Sequence, residues 1–591
     1  MSMAGMSLKV EYDGAASDEN NQTNQAVKKR ISSIKKTIVP QEQVTAYINP
    51  SNCVNCGTCR EICPTNAITE NQRIICHGCP VCTEKPGISP QKMEELTTST
   101  SCTVECPLGV APQGYIGLTR AGKYEEAYNL IWSKNPLPSV CGSICHHPCE
   151  DGCKRGILVD YPIDIRGIKK YLSQKVNVPV KKYNVLYDEN VAVIGAGPAG
   201  LTAAHYLSLA GYKVTVFESS AEAGGMLKRC VPEFRLKRED VDRDISKLQE
   251  AGLEIRLDYR IDRFTLEQLK DEYDAIIVAT GTPNSKELKI PGSRLAGVMG
   301  AINFMEHVNH GMELYRHLGQ VFEFKNGEAV IIGGGSVAMD VARTAKRIGA
   351  SKVTVVCLEE GEAVPAHPWE LEEVLEEGIE LIEGYSPQEY TTDVFPHLTG
   401  VKFAKVKSMG KNDEGNFEVV IDSDNTIEIK ADWVVVSIGQ SADAWWKDQK
   451  DDNIFFAGDI ASNKCSVVDA MAIGRKTAIE VDAAIQGRRV KNPMDEHELV
   501  MADVMEKIFP YNRRKTVRPK TPMLDAAARV NNFDEVEGTY NDYEINQEVL
   551  SCLRCGYEVV DQEKCIACGM CQVHCPMGNV ITMVVKEGGD E

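Results

Sequence analysis

No stretch of this 591-residue chain approaches the ~20 consecutive apolar residues of a membrane-spanning helix, so any attachment to a membrane would require another subunit. Positive charge is scarce too: 65 Lys and Arg stand against 85 Asp and Glu, a formal net charge of −20. That balance favours solubility and disfavours nucleic acid or anionic membranes as partners, unless a local basic patch overrides it. A secretory signal is missing, so a cytoplasmic location is expected. Between residues 154 and 551 there is no C-x2-C pair, which leaves the middle of the chain without an obvious redox-active dithiol. Cys230, Cys357 and Cys465 are isolated there and read as buried structural thiols.

Cysteine is otherwise abundant and clustered. Of 22 cysteines, thirteen lie between Cys53 and Cys153 and six between Cys552 and Cys575. Such clustering in a long chain without a signal points to metal rather than to a disulfide framework. Cys53, Cys56, Cys59 and Cys63 before Pro64 have the C-x2-C-x2-C-x3-C-P spacing of bacterial ferredoxins, in which three sulfurs grip one four-iron cluster and the fourth serves a neighbour. Cys565, Cys568, Cys571 and Cys575 before Pro576 repeat it. Zinc, the rival, takes separated pairs rather than a three-plus-one run ending in proline. Cys76, Cys79 and Cys82 form a third run that could take Cys63 as its fourth ligand, and Cys552 and Cys555 suggest a further site without a full set.

Between the arrays, two glycine turns follow short apolar strands. Val191 to Ile194 leads into Gly195-Ala196-Gly197-Pro198-Ala199-Gly200, a helix to about Ala210 and a strand Lys213 to Phe217 that ends on Glu218. Glycines in this pattern allow a tight turn, close approach of a pyrophosphate and presentation of a helix N-terminus, while the acid is placed for an adenosine ribose. Ala329 to Ile332, then Gly333-Gly334-Gly335-Ser336-Val337-Ala338, a helix to about Ile348 and the strand Lys352 to Val356 repeat the unit. Ala279-Thr280-Gly281 and Ser437-Ile438-Gly439 end two further strands and read as crossings between the two domains. Glu370 to Glu377 reads as a solvated amphipathic helix and His367 as a loop residue, neither with a chemical role.

Longer motifs carry a resemblance. The run from Cys102 through Asn135-Pro136-Leu137-Pro138, Pro148-Cys149-Glu150, the first glycine turn, Gly224-Gly225-Met226-Leu227, Pro232-Glu233-Phe234-Arg235-Leu236, Ala279-Thr280-Gly281, the second turn, Ala457-Gly458-Asp459 and Ala470 to Arg475 resembles the small subunit of glutamate synthase. It is also similar to the flavin and iron-sulfur region of dihydropyrimidine dehydrogenase. The resemblance implies FAD at the first turn, with Asp459 near the ribityl chain. It further implies two clusters in a helical domain, one on Cys79, Cys82, Cys102 and Cys153, the other on Cys106, Cys145 and Cys149. This partition competes with the ferredoxin reading of the third run. Where the family's second cluster takes a glutamate or glutamine, this chain has Lys169, whose ammonium has no lone pair, so either Cys141 replaces that ligand or the coordination is unusual. NADPH users of the family tend to carry adjacent arginines after the strand that follows the second turn. Here Cys357-Leu358-Glu359-Glu360 stands there, and a carboxylate at Glu359 favours NAD(H) over NADP(H).

The expected architecture is α/β, with two Rossmann-like dinucleotide-binding domains flanked by a helical iron-sulfur domain and small ferredoxin-like α+β cluster modules. Expected boundaries are a flexible leader at 1–45, a ferredoxin-like module at 46–90, the helical domain at 91–185, an FAD domain at 186–300 and 430–490, an NAD(P) domain at 301–429, a connector at 491–545 and a C-terminal ferredoxin-like module at 546–591. At least four 4Fe-4S clusters are expected. The function this implies is hydride exchange with NAD(P)H at FAD and release of single electrons to ferredoxin or another redox subunit. The cofactors carry that chemistry, so no catalytic side chain is required. Alternatives are a flavin-based electron-bifurcating subunit and a non-catalytic electron-transfer scaffold.

Overall fold

The computed structural model describes residues 6–10, 36–40, 44–48, 53, 56–72, 102–318, 327–411, 417–449, 451–462, 466–487, 517–553, 556–560, 565–578 and 580–585. Asn190–Ile194, Lys213–Phe217 and Ala275–Val278 are rich in Val and Ile and almost wholly buried, the composition of strands covered on both faces. They form a parallel five-stranded sheet in the order Ile454–Phe456, Ala275–Val278, Asn190–Ile194, Lys213–Phe217, Glu254–Arg256. A second parallel sheet runs Val298–Gly300, Trp433–Val436, Glu328–Ile332, Lys352–Val356, Glu380–Ile382. An antiparallel three-stranded sheet of Tyr385–Thr391, Gly400–Lys411 and Phe417–Lys430 is inserted in the second domain.

The helical domain packs Pro112–Arg120, Tyr124–Trp132, Pro138–Ile144 and Ile165–Lys175 together, the last capped by Asp164, which accepts from Gly167 N at 2.7 Å. Its apolar core is continuous with that of the first sheet: Leu108, Leu118, Val140, Ile168 and Leu172 share one cluster with Val191, Val193, Leu201 and Val216. The second sheet has a core of its own around Ile331, Val341 and Val355.

The structure adds detail at two places and corrects the expectation at a third. The stretch 1–45, expected as a flexible leader, contains the strands Met6–Val10 and Lys36–Pro40, paired antiparallel, and its last residues lie in Val44–Ile48. The two ferredoxin-like modules expected at 46–90 and 546–591 pair with each other. Val44–Ile48 pairs with Ile581–Val585 and Ile68–Gln72 with Gly556–Val560, over a shared core of Ala46, Ile48, Ile68, Val580 and Ile581. The helix around Glu370–Glu377 spans Pro368–Glu376, and two acids of this stretch, Glu370 and the C-cap Glu377, are buried rather than solvated. Glu370 and Glu377 are each 3% exposed, and Glu377 accepts from both Arg343 and Arg347 at 2.6–3.0 Å.

Residues 517–553 run across the helical domain. Arg518 bonds Glu548 at 2.9 Å and the carbonyls of Tyr161 and Pro162, Arg166 pairs with Glu537 at 2.6 Å, and Arg155 donates to Ser551 O at 2.6 Å. Arg529 reaches Glu376 of the second dinucleotide domain at 2.9 Å.

Candidate functional site

The two glycine turns are built alike. Gly195 N donates to Phe217 O at 2.8 Å and Gly333 N to Val356 O at 2.9 Å, fastening each turn to the next strand. Gly195 has φ +105° and Gly333 φ +136°, where an added Cβ would lie 2.5 Å from Ala279 O and 2.2 Å from Ser437 O respectively, so glycine is required at both. Gly200 packs its helix on the turn, a Cβ there falling 1.9 Å from Gly195 O. Gly197 and Gly335, at the N-caps of Pro198–Ala210 and Ser336–Arg347, face open space instead. Each therefore leaves a cradle before a helix N-terminus, the arrangement that receives a pyrophosphate.

A single cleft of about 990 Å³ spans both turns. Gly195, Gly197, Pro198, Ala199, Glu218, Gly225, Leu227, Arg235, Thr280, Gly281, Gly458 and Asp459 line it from the first domain, and Ser336 and Val337 from the second. Ala196, Gly200, Gly224, Gly333, Gly334, Gly335, Ala338, Glu359 and Gly439 are not among the residues that line it, though Gln440, beside the exposed Gly439, is. Glu218 is held in place: Oε2 accepts from Ala196 N at 2.8 Å and Oε1 from Ser220 N at 2.9 Å. Glu359 leans over the second turn, its Oε2 3.2 Å from where a Cβ on Gly334 would stand.

The lining fits a flavin nucleotide. Thr280 Oγ1 and Asp459 Oδ1 are buried without a hydrogen-bond partner, two polar atoms for a ligand to satisfy. Burial, followed by the charge of Asp469, pushes Asp459 up to about 6. Arg235 reaches the cleft, but its Nη1 is bonded to Asp340 at 2.8 Å and Glu370 at 3.0 Å, which ties the first domain to the second. Phe234 beside it lies fully buried beneath the guanidinium groups of Arg343 and Arg347, at 4.8 and 4.0 Å.

Sequence reading missed part of the wall. Cys145, His146 and Arg166 of the helical domain line the same cleft, as do His367 and Trp369 of the second domain. His146 stacks on His367 with centroids 5.8 Å apart, His147 on Trp369 at 4.6 Å and His367 on Trp369 at 4.4 Å. His367 is thus the N-cap of a helix in the cleft wall, not merely a loop residue. Cys230 also lines the cleft and is only half-buried, with burial pushing its thiol up to about 12. Cys357 is buried as expected. Contiguous histidines and a tryptophan carry no spacing signal, and only the interdomain contact makes them a wall.

Cys106, Cys141, Cys145 and Cys149 are all buried, as is Lys169, on which their charges act. Burial alone would lower the Lys169 ammonium, but the charges of Cys145, Cys141, Cys149 and Cys106 hold it above its ordinary value. Cys102 donates to Gln113 Oε1 at 3.2 Å, and Cys153 accepts from Ile163 N at 3.4 Å. In the end unit, Cys53, Cys56, Cys59 and Cys575 line one small cavity, and Cys63, Cys565, Cys568 and Cys571 line another. Cys63 therefore faces the C-terminal run. Cys76, Cys79, Cys82, Cys465 and Cys555 lie outside the described residues. Cys552 is buried in the core that the helical domain shares with the first sheet. Among the described residues no group of three His, Cys, Asp or Glu converges as tightly as a single metal ion requires.

Two parallel dinucleotide domains opening on one cleft, with a thiol-lined helical domain in its wall, define an oxidoreductase that pairs flavin and pyridine nucleotide with iron-sulfur regions. Residues 189–474 match the pyridine nucleotide-disulphide oxidoreductases, 96–179 the 4Fe-4S domain II of dihydropyrimidine dehydrogenase, and 46–69 and 558–580 a 4Fe-4S binding domain. The NADP(+)-dependent formate dehydrogenase subunit beta of Moorella thermoacetica is 30% identical over 508 residues, 77% of this chain and 70% of that protein. The NAD-dependent dihydropyrimidine dehydrogenase subunit PreT of Escherichia coli is 30% identical over 413 residues, 66% of this chain and 92% of that protein. The NADPH-Fe(3+) oxidoreductase subunit beta of Geobacter sulfurreducens is 27% identical over 521 residues, 77% of this chain and 75% of that protein. The chain belongs to the pyridine nucleotide-disulphide oxidoreductase family, in the group that carries 4Fe-4S regions. No described helix is long and apolar enough to cross a membrane.

Proposed function

We propose that this chain is an FAD and iron-sulfur electron-transfer subunit that exchanges hydride with NAD(H) and relays single electrons through at least four 4Fe-4S clusters to ferredoxin or a partner redox subunit. The observation that carries this reading is the shared cleft, lined by both glycine turns and by Cys145. A bound isoalloxazine supplies the interconversion of hydride and single electrons. The chain's part is to bind and orient. The cradle at Gly197 takes a pyrophosphate, Glu218 a ribose hydroxyl, and Asp459 and Thr280 polar groups further along the same nucleotide. Glu359 supports NAD(H), because a carboxylate over the second turn accepts from a ribose diol and repels a 2′-phosphate. The relatives named above include both NAD- and NADP-dependent proteins, and each is one subunit of a larger enzyme.

Anaerobic absorbance spectroscopy tests the reading. NADH bleaches the flavin band and the broad cluster absorbance together, NADPH does so more slowly, and Glu359→Ala narrows the difference. A colourless preparation overturns the flavin assignment. A strong NADPH preference that persists in Glu359→Ala overturns the NAD(H) assignment.

A further inference from the structure

The end unit raises a question that the cleft does not answer: which sulfurs belong together. In a ferredoxin-type run the fourth cysteine serves a neighbouring cluster. Here each run's neighbour is the run at the opposite end of the chain. Cys575 shares a cavity with Cys53, Cys56 and Cys59, and Cys63 shares the other with Cys565, Cys568 and Cys571. The strand pairs Val44–Ile48 with Ile581–Val585 and Ile68–Gln72 with Gly556–Val560 bring the two runs together.

The two groups of thiols face different surroundings. Cys56 meets the helical domain so closely that a Cβ on Gly114 would lie 2.7 Å from Cys56 Cα, and Gln113, next to Gly114, accepts from Cys102. Lys123 donates to Pro576 O at 2.7 Å and Lys134 pairs with Glu61 at 2.6 Å, fixing that side against the helical domain. In the other group Cys568 is exposed.

We infer that the two ends of the chain exchange ligands: Cys53, Cys56, Cys59 and Cys575 hold an inner four-iron cluster against the helical domain, Cys63, Cys565, Cys568 and Cys571 hold an outer one, and single electrons pass between this chain and its one-electron partner at the outer cluster. The inference rests on the electron-transfer reading above. Each transfer oxidises one cluster by one electron and reduces the next, with a ferredoxin-type protein as the external acceptor.

Iron analysis of the full chain, reconstituted anaerobically, tests the ligand exchange without any turnover. Cys59→Ser and Cys575→Ser each lose one cluster's iron, and the double variant loses no more than either alone. Cys571→Ser with Cys575→Ser loses two clusters' worth. In electron paramagnetic resonance, Cys575→Ser removes the signal that Cys59→Ser removes, and Cys63→Ser the one that Cys571→Ser removes. If Cys575→Ser and Cys571→Ser remove the same signal, each end keeps its own ligands and the exchange is overturned. Where a serine variant fails to fold, aspartate at the same position keeps a ligating oxygen, and its signal shift must follow the same pairing. For the exit, Cys571→Ser slows NADH-driven reduction of a two-cluster ferredoxin at least tenfold, and an undiminished rate overturns it. Failure of the flavin to bleach with NADH strikes the electron-transfer reading alone, because the iron count is independent of the cleft.

Discussion

The first dinucleotide domain meets the helical domain across an apolar seam, and it meets the second dinucleotide domain across a charged one. On the apolar side, residues such as Leu108, Val140, Val193 and Leu201 belong to one continuous core. On the charged side, Arg229 pairs with Glu306, Arg235 with Asp340 and Glu370, and Arg343 and Arg347 close over Phe234. A shared core has no second arrangement of similar energy, whereas the ions of a charged seam regain hydration if the domains part, which offsets part of the lost pairing. The flavin site is thereby fixed to the thiol-rich domain, while the nucleotide domain is held by contacts that can be remade.

Substitutions can break this contrast. The largest effect is expected on the apolar side: in Gly200→Ala the added methyl overlaps Gly195 O, so the turn cannot close and the purified protein loses its yellow colour, measured as the flavin-to-protein ratio. Next comes the charged seam. Arg235→Ala leaves Asp340 and Glu370 facing each other. We expect a loss of about 3 kcal/mol in urea unfolding, the low end for breaking a buried pair because the guanidinium is 21% exposed. Hydrogen exchange should rise in the second sheet before the first.

Asp459 gives a pH-dependent comparison. Its acid form is favoured in the folded state, so its contribution is fully present below its unfolded value and is lost as pH rises through about 6. Asp459→Asn removes that loss, and the flavin-free protein should gain about 1–2 kcal/mol over wild type above pH 6 and nothing near pH 3. The smallest effect is expected from Trp369→Ala, which removes the stack on His147 and His367 at a cost of about 1 kcal/mol, read in thermal unfolding.

The two βαβ units were legible because period and turn chemistry are local: Lys213–Phe217 and Lys352–Val356 lie where valine runs after glycine turns place them. The burial of Glu377 was not, because its partners Arg343 and Arg347 belong to another helix and a carboxylate in sequence looks the same solvated or paired. The union of the chain ends was equally hidden. Each cysteine run is complete by spacing, and strand pairing across most of the chain leaves no local trace. The histidine and tryptophan wall exists only once two domains meet.

The pairing of Val44–Ile48 with Ile581–Val585 also sets an order of events during synthesis. The early strand leaves the ribosome with an open edge and stays unpaired until residues 49–580 have been made. That small sheet therefore closes only after both dinucleotide domains have been made, and loss of the late strand would leave the early one with an unpaired edge.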